Sequence, residues 1–446
     1  MNFKNFITSA KSTVHSSARN ILQLAKIFTF SILAGLFGGV IGAVFNLTIE
    51  FVTELRTEHG FFVFFLPLGG VLIALLYRAF RVKHDRGTNL IIDAVSKDSF
   101  IPFYIAPLVL VSTAITHLFG GSSGKEGAAL QIGGELGELA GRVCRLKQLD
   151  MRTAVLCGMS AMFAALFGTP IAAAIFVAEF VAIGAMNYAA LLPCVISSFV
   201  AVMITHLLGI VEEPLGVLPI GLEIGAPELL LIIVITLAVV VVSVAFCILM
   251  HKTHDISEKL FKNNYLRVFI GGLIIVALTL IPGGRDYNGS GIGIISAALA
   301  GEAVPWAFAL KMIFTAITLG FGFKGGEIFP SFFIGATLAC TVSGLIGFDP
   351  MLGAALGMIC MFCCVTNSPI ASIVMSVELF GAEYFFPFAL VCIVGYVLSG
   401  NHSLYDSQKI LYSKLDGISQ DGYSPIDTVH ELEALKAEVV ATSNKK

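Results

Sequence analysis

A chain of 446 residues would ordinarily divide into two or three soluble domains, but this one is 57% hydrophobic and only 13% charged. Soluble domains carry about 25% charged residues, so the composition excludes that reading, and a net charge of −3 offers no basic surface for nucleic acid. Apolar runs near or above the ~18 residues that cross about 30 Å of hydrocarbon recur along the chain, which predicts an all-α polytopic membrane protein.

Residues 1–26 carry Lys4, Lys11, Arg19 and Lys26 and are too polar for the apolar core of a cleavable signal peptide. They are expected to form an amphipathic helix on a membrane face. The first span is expected from Ile27 to about Phe51, where Gly35, Gly38, Gly39 and Gly42 give small faces for helix packing. After Glu50, Glu54 and Glu58, a second span runs from Phe61 to Tyr77. Basic loops follow at Arg78, Arg81, Lys83 and Arg86, at Arg142, Arg145, Lys147 and Arg152, and at Lys252, Lys259, Lys262 and Arg267, with the acidic pair Glu212-Glu213 between the last two. Because Lys and Arg are retained on the cytoplasmic side, both termini are expected in the cytoplasm, with the protein in the inner (plasma) membrane.

Further spans are expected near 103–119, 128–141, 153–180, 187–209, 226–250, 266–281, 303–321, 328–347, 351–365 and 369–399. Several are too short or too glycine-broken to cross fully, a pattern that suits a transporter or channel whose site lies at mid-membrane. Most of the nine cysteines fall inside apolar runs, including Cys360-Met-Phe-Cys363, and read as small packing residues rather than disulfide or metal ligands. Residues 401–446 read as a short polar tail, with a helix from Thr428 to Val440.

The halves of the membrane domain, about 27–210 and 226–400, resemble each other at a nearly fixed offset. Gly124, Ile132 and Gly133 match Gly326, Ile334 and Gly335 at a shift of 202, and Gly87-Thr88 matches Gly289-Ser290 at the same shift. Thr169-Pro170-Ile171-Ala172 and Glu179 match Ser368-Pro369-Ile370-Ala371 and Glu378 at a shift of 199. Two such repeats in opposite orientations would bring two sets of helix ends together at the midplane.

Chemistry concentrates in Gly87-Thr88-Asn89-Leu90, Gly124-Lys125-Glu126-Gly127-Ala128, Gly325-Gly326-Glu327-Ile328-Phe329-Pro330 and Tyr396 in the last span. Glycine loops that open helices aim backbone N–H groups at one point, which suits an anion. Glu126 sits where that anion would sit, and a carboxylate amid apolar sequence is functional by default. Glu327 carries the same argument, with the alternative of pairing with Lys324. Glu179 and Glu378 are read as capping or pairing with loop backbone, and Lys125 as organising its loop. The histidines, among them His117 and His206, show no nucleophile–base or metal spacing, so neither an enzyme nor a metal or cofactor site is expected.

GKEG followed by QIGG, with upstream GTNL, a second-half GGEIFP and a late tyrosine, resembles the CLC family of chloride channels and proton-coupled anion transporters over about residues 28–405. The resemblance implies a homodimer in the lipid bilayer, each subunit with its own pore for a small anion. It implies Glu126 as the gating glutamate, anion contacts from Thr88, Gly124, Lys125, Gly127, Ala128, Ile328 and Phe329, and Tyr396 as the tyrosine opposite Thr88. Proton-exchanging chloride members carry a second glutamate after the position of Glu179, where this chain has Phe180. GGEIFP and Asn89-Leu90 resemble the fluoride-exporting bacterial branch, which often has methionine where Thr88 stands. The expectation is antiport of fluoride, or another halide, against protons gated by Glu126, with Glu327 a second carboxylate in that path. The alternatives are a passive chloride channel and a chloride/proton exchanger.

Overall fold

The structure, a computed structural model, describes residues 3–425 except 83–86, 98–100, 211–215, 217, 220, 223, 413 and 415–418, with side chains described from Leu24 onward except at 97, 148, 149, 411, 412 and 419–425. Glu212-Glu213 and the expected helix from Thr428 to Val440 lie outside the described residues. The first half contains α1 (Phe3–Glu58), a 3-10 turn (Gly60–Phe65), α2 (Leu66–Ala79), α3 (Thr88–Lys97), α4 (Ile105–Leu118), α5 (Glu126–Val143), α6 (Gln148–Phe167), α7 (Pro170–Phe180), the short strand β1 (Ala182–Ile183) and α8 (Tyr188–Leu207). The second half contains α9 (Ala226–Leu260), α10 (Asn264–Thr279), a 3-10 turn (Gly284–Tyr287), α11 (Ile292–Leu299), α12 (Ala307–Gly320), α13 (Ile328–Ile346), α14 (Pro350–Thr366), α15 (Pro369–Phe380) and α16 (Phe385–Leu398).

Among the described residues, six helices, counting the first 3-10 turn together with α2, are long and apolar enough to cross a membrane. In α6 and α13 the apolar window is 78% buried inside the protein, against 44% in α1 and 39% in α8 and α9, so the first two are central and the others form the rim. The central helices pack closely because glycines face glycines. Gly133 of α5 lies against Gly158 of α6, and Gly335 of α13 lies against Gly357 of α14, with no room for a Cβ in either crossing.

The expected boundaries change in four places. The segment before Ile27 does not form a separate helix: α1 runs unbroken from Phe3, since neither glycine nor proline interrupts it before Gly35. The runs 153–180 and 369–399 each split into two helices. α6 ends at Gly168 (φ 67°), after which Thr169 and Pro170 start α7, and α15 ends at Gly381 (φ 83°), four residues before α16 begins at Phe385. Even apolarity on both sides hid these breaks. α9 continues ten residues past the expected end at 250 because its last turns are polar but still helical.

The polar stretch beyond α16 adds a feature that hydropathy did not predict. Strand β2 (Lys409–Tyr412) pairs in parallel with β1 and antiparallel with β3 (Ser419–Pro425), with Ala182 opposite Lys409 and Ile183 opposite Ile410. This small sheet anchors the chain after α16 to the end of α7.

Reciprocal hydrogen bonds establish the inverted repeat. Glu179 near the end of α7 accepts from Ile370 and Ala371 N–H (3.2 and 2.9 Å) at the start of α15, while Glu378 near the end of α15 accepts from Ile171 and Ala172 N–H (2.9 and 2.8 Å) at the start of α7. Each half-helix therefore caps the other, satisfying amides that a helix N-terminus leaves open. The same exchange recurs at the loops: Thr318 Oγ1 accepts from Ser122 N–H (3.0 Å) and Thr116 Oγ1 from Lys324 N–H (3.2 Å), again at a shift of 202. Removing one capping carboxylate strands two amides, so Glu179→Ala or Glu378→Ala is expected to cost about 1–3 kcal/mol. The check is a lowered thermal unfolding midpoint in detergent, with Glu179→Gln, which keeps one acceptor, losing less.

Candidate functional site

Two glycine loops meet at the centre of the molecule. Gly124 and Gly326 exchange both backbone hydrogen bonds, N–H to O at 2.7 Å each way, as an isolated antiparallel bridge. From this bridge α5 departs at Glu126 and α13 at Ile328, so two helix N-termini with open amides converge on one place. Glycine is required at the crossing. A Cβ on Gly326 would stand 2.5 Å from Gly127 N and 2.9 Å from Glu126 N.

The Glu126 side chain is fully buried, and its Oε2 accepts from Phe329 N–H (3.3 Å) in the first turn of α13. A carboxylate from one half thus sits on the anion-binding end of a helix from the other. Its second oxygen, Oε1, is buried without a hydrogen-bond partner among the described residues. Gly127 gathers the next layer. Thr88 Oγ1, at the start of α3, donates to Gly127 O (3.4 Å), and a Cβ on Gly127 would lie 3.0 Å from Glu327 Oε2 and 3.1 Å from Thr88 Oγ1. Glu327 Oε2 is likewise buried and unpartnered among the described residues, and the two carboxylates act on each other electrostatically. Ala128, Ile328 and Phe329 are buried around them, and Phe329 stacks on Phe167 (5.5 Å, 6°).

The two carboxylates do not occupy equivalent repeat positions. At the shift of 202, Glu126 corresponds to Ile328 and Glu327 to Lys125. Lys125 turns outward, its Nζ donating to Asn46 Oδ1 on α1, and so clamps its loop. Lys324 Nζ lies over the Tyr77 ring (4.8 Å).

Tyr396 is not brought to this cluster. It sits on α16 beneath the small sheet, packed against Ile183 and Ile410, with Lys414 Nζ 4.2 Å above its ring. Tyr405, beyond the end of α16, takes the expected place. It is fully buried, its hydroxyl has no partner among the described residues, and that hydroxyl is within electrostatic reach of Glu327 and Glu126. Its ring meets Phe180 edge-on at 4.8 Å, and Gln408 pins the segment by donating to Phe180 O (2.7 Å) and Thr366 O (2.8 Å). An expectation that the aromatic lies inside an apolar run overlooks it; the usable signal was a tyrosine in the polar stretch that follows Gly400. Gln131 was also missed. One turn along α5, it donates to Gly127 O (3.4 Å) and keeps an unpartnered Oε1.

A cavity of about 1230 Å³ opens toward these residues, with Glu327, Gln131, Ala128 and Asn89 in its wall. Its mouth carries Arg78, Arg81, Lys262 and Arg267 from the basic loops, an arrangement that raises local anion concentration. Asn89 Oδ1 accepts from Ser407 N–H (3.0 Å), joining the GTNL loop to the Tyr405 segment.

Residues 69–400 match the voltage gated chloride channel family. The chain belongs to that family. It is 35% identical over 401 residues to a chloride/fluoride channel protein of Pseudomonas syringae pv. tomato, covering 88% of each chain. It is 27% identical over 309 residues, 66% of this chain and 73% of the other, to the voltage-gated ClC-type chloride channel ClcB of Citrobacter koseri. Among solved structures it resembles a CLC-type fluoride/proton antiporter with a TM-score of 0.84 and 32% identity, covering 87% of this chain and 99% of that one. A slow cyanobacterial Cl⁻/H⁺ antiporter shares the fold at a TM-score of 0.73 and 19% identity, covering 92% of this chain and 98% of that one. This CLC protein is thus a membrane protein of CLC-type anion transport, and the resemblance read from GKEG and GGEIFP holds.

The crowding at Gly127 gives a direct check. Gly127→Ala adds a methyl group against Glu327 and Thr88, and anion flux through reconstituted vesicles is expected to fall by about tenfold or more, as for small displacements of a positioned site. Tyr396→Phe, remote from the cluster, is expected to leave the flux within about twofold.

Proposed function

We propose that this CLC protein exchanges fluoride for protons, with chloride as a poorer substrate, and that Glu126 is both gate and proton carrier. The observation that carries this reading is the Glu126 carboxylate seated on the Phe329 amide at the N-terminus of α13, with the Glu327 carboxylate beside it. As an anion Glu126 fills the helix end and excludes a transported ion. When protonated it has no charge to hold there, so the ion enters as the proton is bound, and the two movements are linked.

Donors without full charge then receive the ion: the Thr88 hydroxyl, the backbone amides at 126–128 and 328–329, and the phenol of Tyr405 in the role first given to Tyr396. Such donors replace hydration while still allowing release. Fluoride holds its water more tightly than chloride and needs stronger donors, and a protonated carboxylic acid at Glu126 or Glu327 supplies one. The similarity to proteins described as a chloride/fluoride channel protein and a fluoride/proton antiporter supports the same substrate. Phe180, packed between Phe176 (4.9 Å) and Tyr405 (4.8 Å), leaves no titratable group at the position where proton-exchanging chloride members carry a glutamate. Protons must therefore pass by way of Glu327.

In this reading the protein is a homodimer in the plasma membrane, both termini are cytoplasmic, and the cavity with the basic mouth faces the cytoplasm. Residues 27–400 form the transport domain and 401–446 the tail. Parallel fluoride, chloride and pH recordings on proteoliposomes test the proposal. Fluoride efflux should drive proton uptake and exceed chloride efflux; equal fluxes without proton movement would instead mark a passive chloride channel. Glu126→Gln, which cannot carry the proton, is expected to reduce proton movement to background, and coupling retained in that variant would remove Glu126 from the proton path.

A further inference from the structure

Resting on the antiport reading above, we infer that the His251–Asp406 pair is the station at which protons pass between Glu327 and the cytoplasmic solution. His251 lies on α9 and Asp406 directly follows Tyr405. Both line the cavity whose wall includes Glu327, and an electrostatic interaction acts between His251 and the Glu327 carboxylate.

The geometry of the ring decides what the pair holds. His251 Nδ1 is 3.1 Å from Asp406 Oδ1, and Nε2 is 2.8 Å from the Ser403 carbonyl oxygen. A carbonyl only accepts, so Nε2 carries a hydrogen. Nδ1 then faces a carboxylate oxygen, and that contact is a hydrogen bond only with one further proton, either on Nδ1 or on Asp406. The pair therefore has a place for one proton beyond those of a neutral imidazole and an ionised carboxylate. Its side chains are 35% and 47% exposed, which gives the proton direct exchange with solvent. Glu327, by contrast, has its Oε2 buried. A cavity of about 1230 Å³ has ample room for water between them.

The other charged groups facing this space are His254 and Asp255 from the next turn of α9, Lys324 beside Glu327, and Lys409 after Asp406. Arg267, from α10, is engaged by Glu258 at 3.1 Å. Cys247, one turn back on α9, is within electrostatic reach of Asp406. Arg78 and Arg81 line the mouth. These cations hold anions near the mouth and repel a free hydronium ion, so a fixed proton carrier among them serves a need that open water alone meets slowly. In the step itself the Glu327 O–H bond breaks, its proton moves through cavity water to the pair, and a proton leaves the pair to the cytoplasmic solution. No other bond changes, and the reverse sequence loads Glu327.

The test is coupled fluoride and proton flux in proteoliposomes for the wild type, His251→Ala and His251→Gln, with and without free imidazole. Both variants are expected to exchange about tenfold more slowly or worse, as for loss of a positioned proton carrier. Imidazole, small enough for the cavity, should restore much of the rate to His251→Ala. Should the wild type couple while both variants match its rate and pH profile, the inference falls and the antiport reading stands. If His251→Gln is normal and His251→Ala is slow without rescue, His251 is a structural residue and the inference also falls. A wild type that moves fluoride without protons overturns both.

Discussion

Everything at the centre of this molecule depends on the two hydrogen bonds between Gly124 and Gly326. They join two loops from opposite halves of the chain at backbone contact distance, which only glycine permits. That contact sets the N-terminus of α13 against the first residue of α5. The Glu126 carboxylate then meets the helix end of the other half as well as its own, so that an internal anion occupies an anion-binding feature. Exchange of capping carboxylates between α7 and α15, and of threonine hydroxyls around the same loops, holds the halves in register from both sides.

Function, however, comes from where the symmetry fails. The bridge and the caps are reciprocal, but Glu126 answers to Ile328 and Glu327 to Lys125. A strictly symmetric site would present two equivalent carboxylates, or none. The offset instead places one carboxylate on the amide of the other half and the second behind it, toward the cavity with the basic mouth. Phe180 packs its ring between Phe176 and Tyr405.

Much of this was readable before any coordinates. The repeat could be found because the positions that repeat are those where chemistry allows few choices: glycine at the crossing, proline after the helix break, glutamate at the cap. Glu126 stood out because a carboxylate among glycines in an apolar chain has few structural uses. The breaks inside 153–180 and 369–399 were not visible to hydropathy, since the helices on both sides of each break are apolar and only Gly168 and Gly381 mark where the chain turns. Tyr396 was expected at the site because it lies in the last apolar span, whereas Tyr405, which comes within electrostatic reach of Glu126 and Glu327, follows the end of that helix. His251 and Asp406, far apart in sequence, meet only because the chain folds back after α16 to pair β2 with β1.

The central claim is that Glu126 and the transported ion compete for the same helix end. Fluoride binding to purified protein, measured by calorimetry at fixed pH, tests this most directly when wild type is compared with Glu126→Ala. The account predicts tighter binding in the variant, because the internal competitor is gone. Weaker or unchanged binding would show that the carboxylate does not occupy the ion's place and would contradict it.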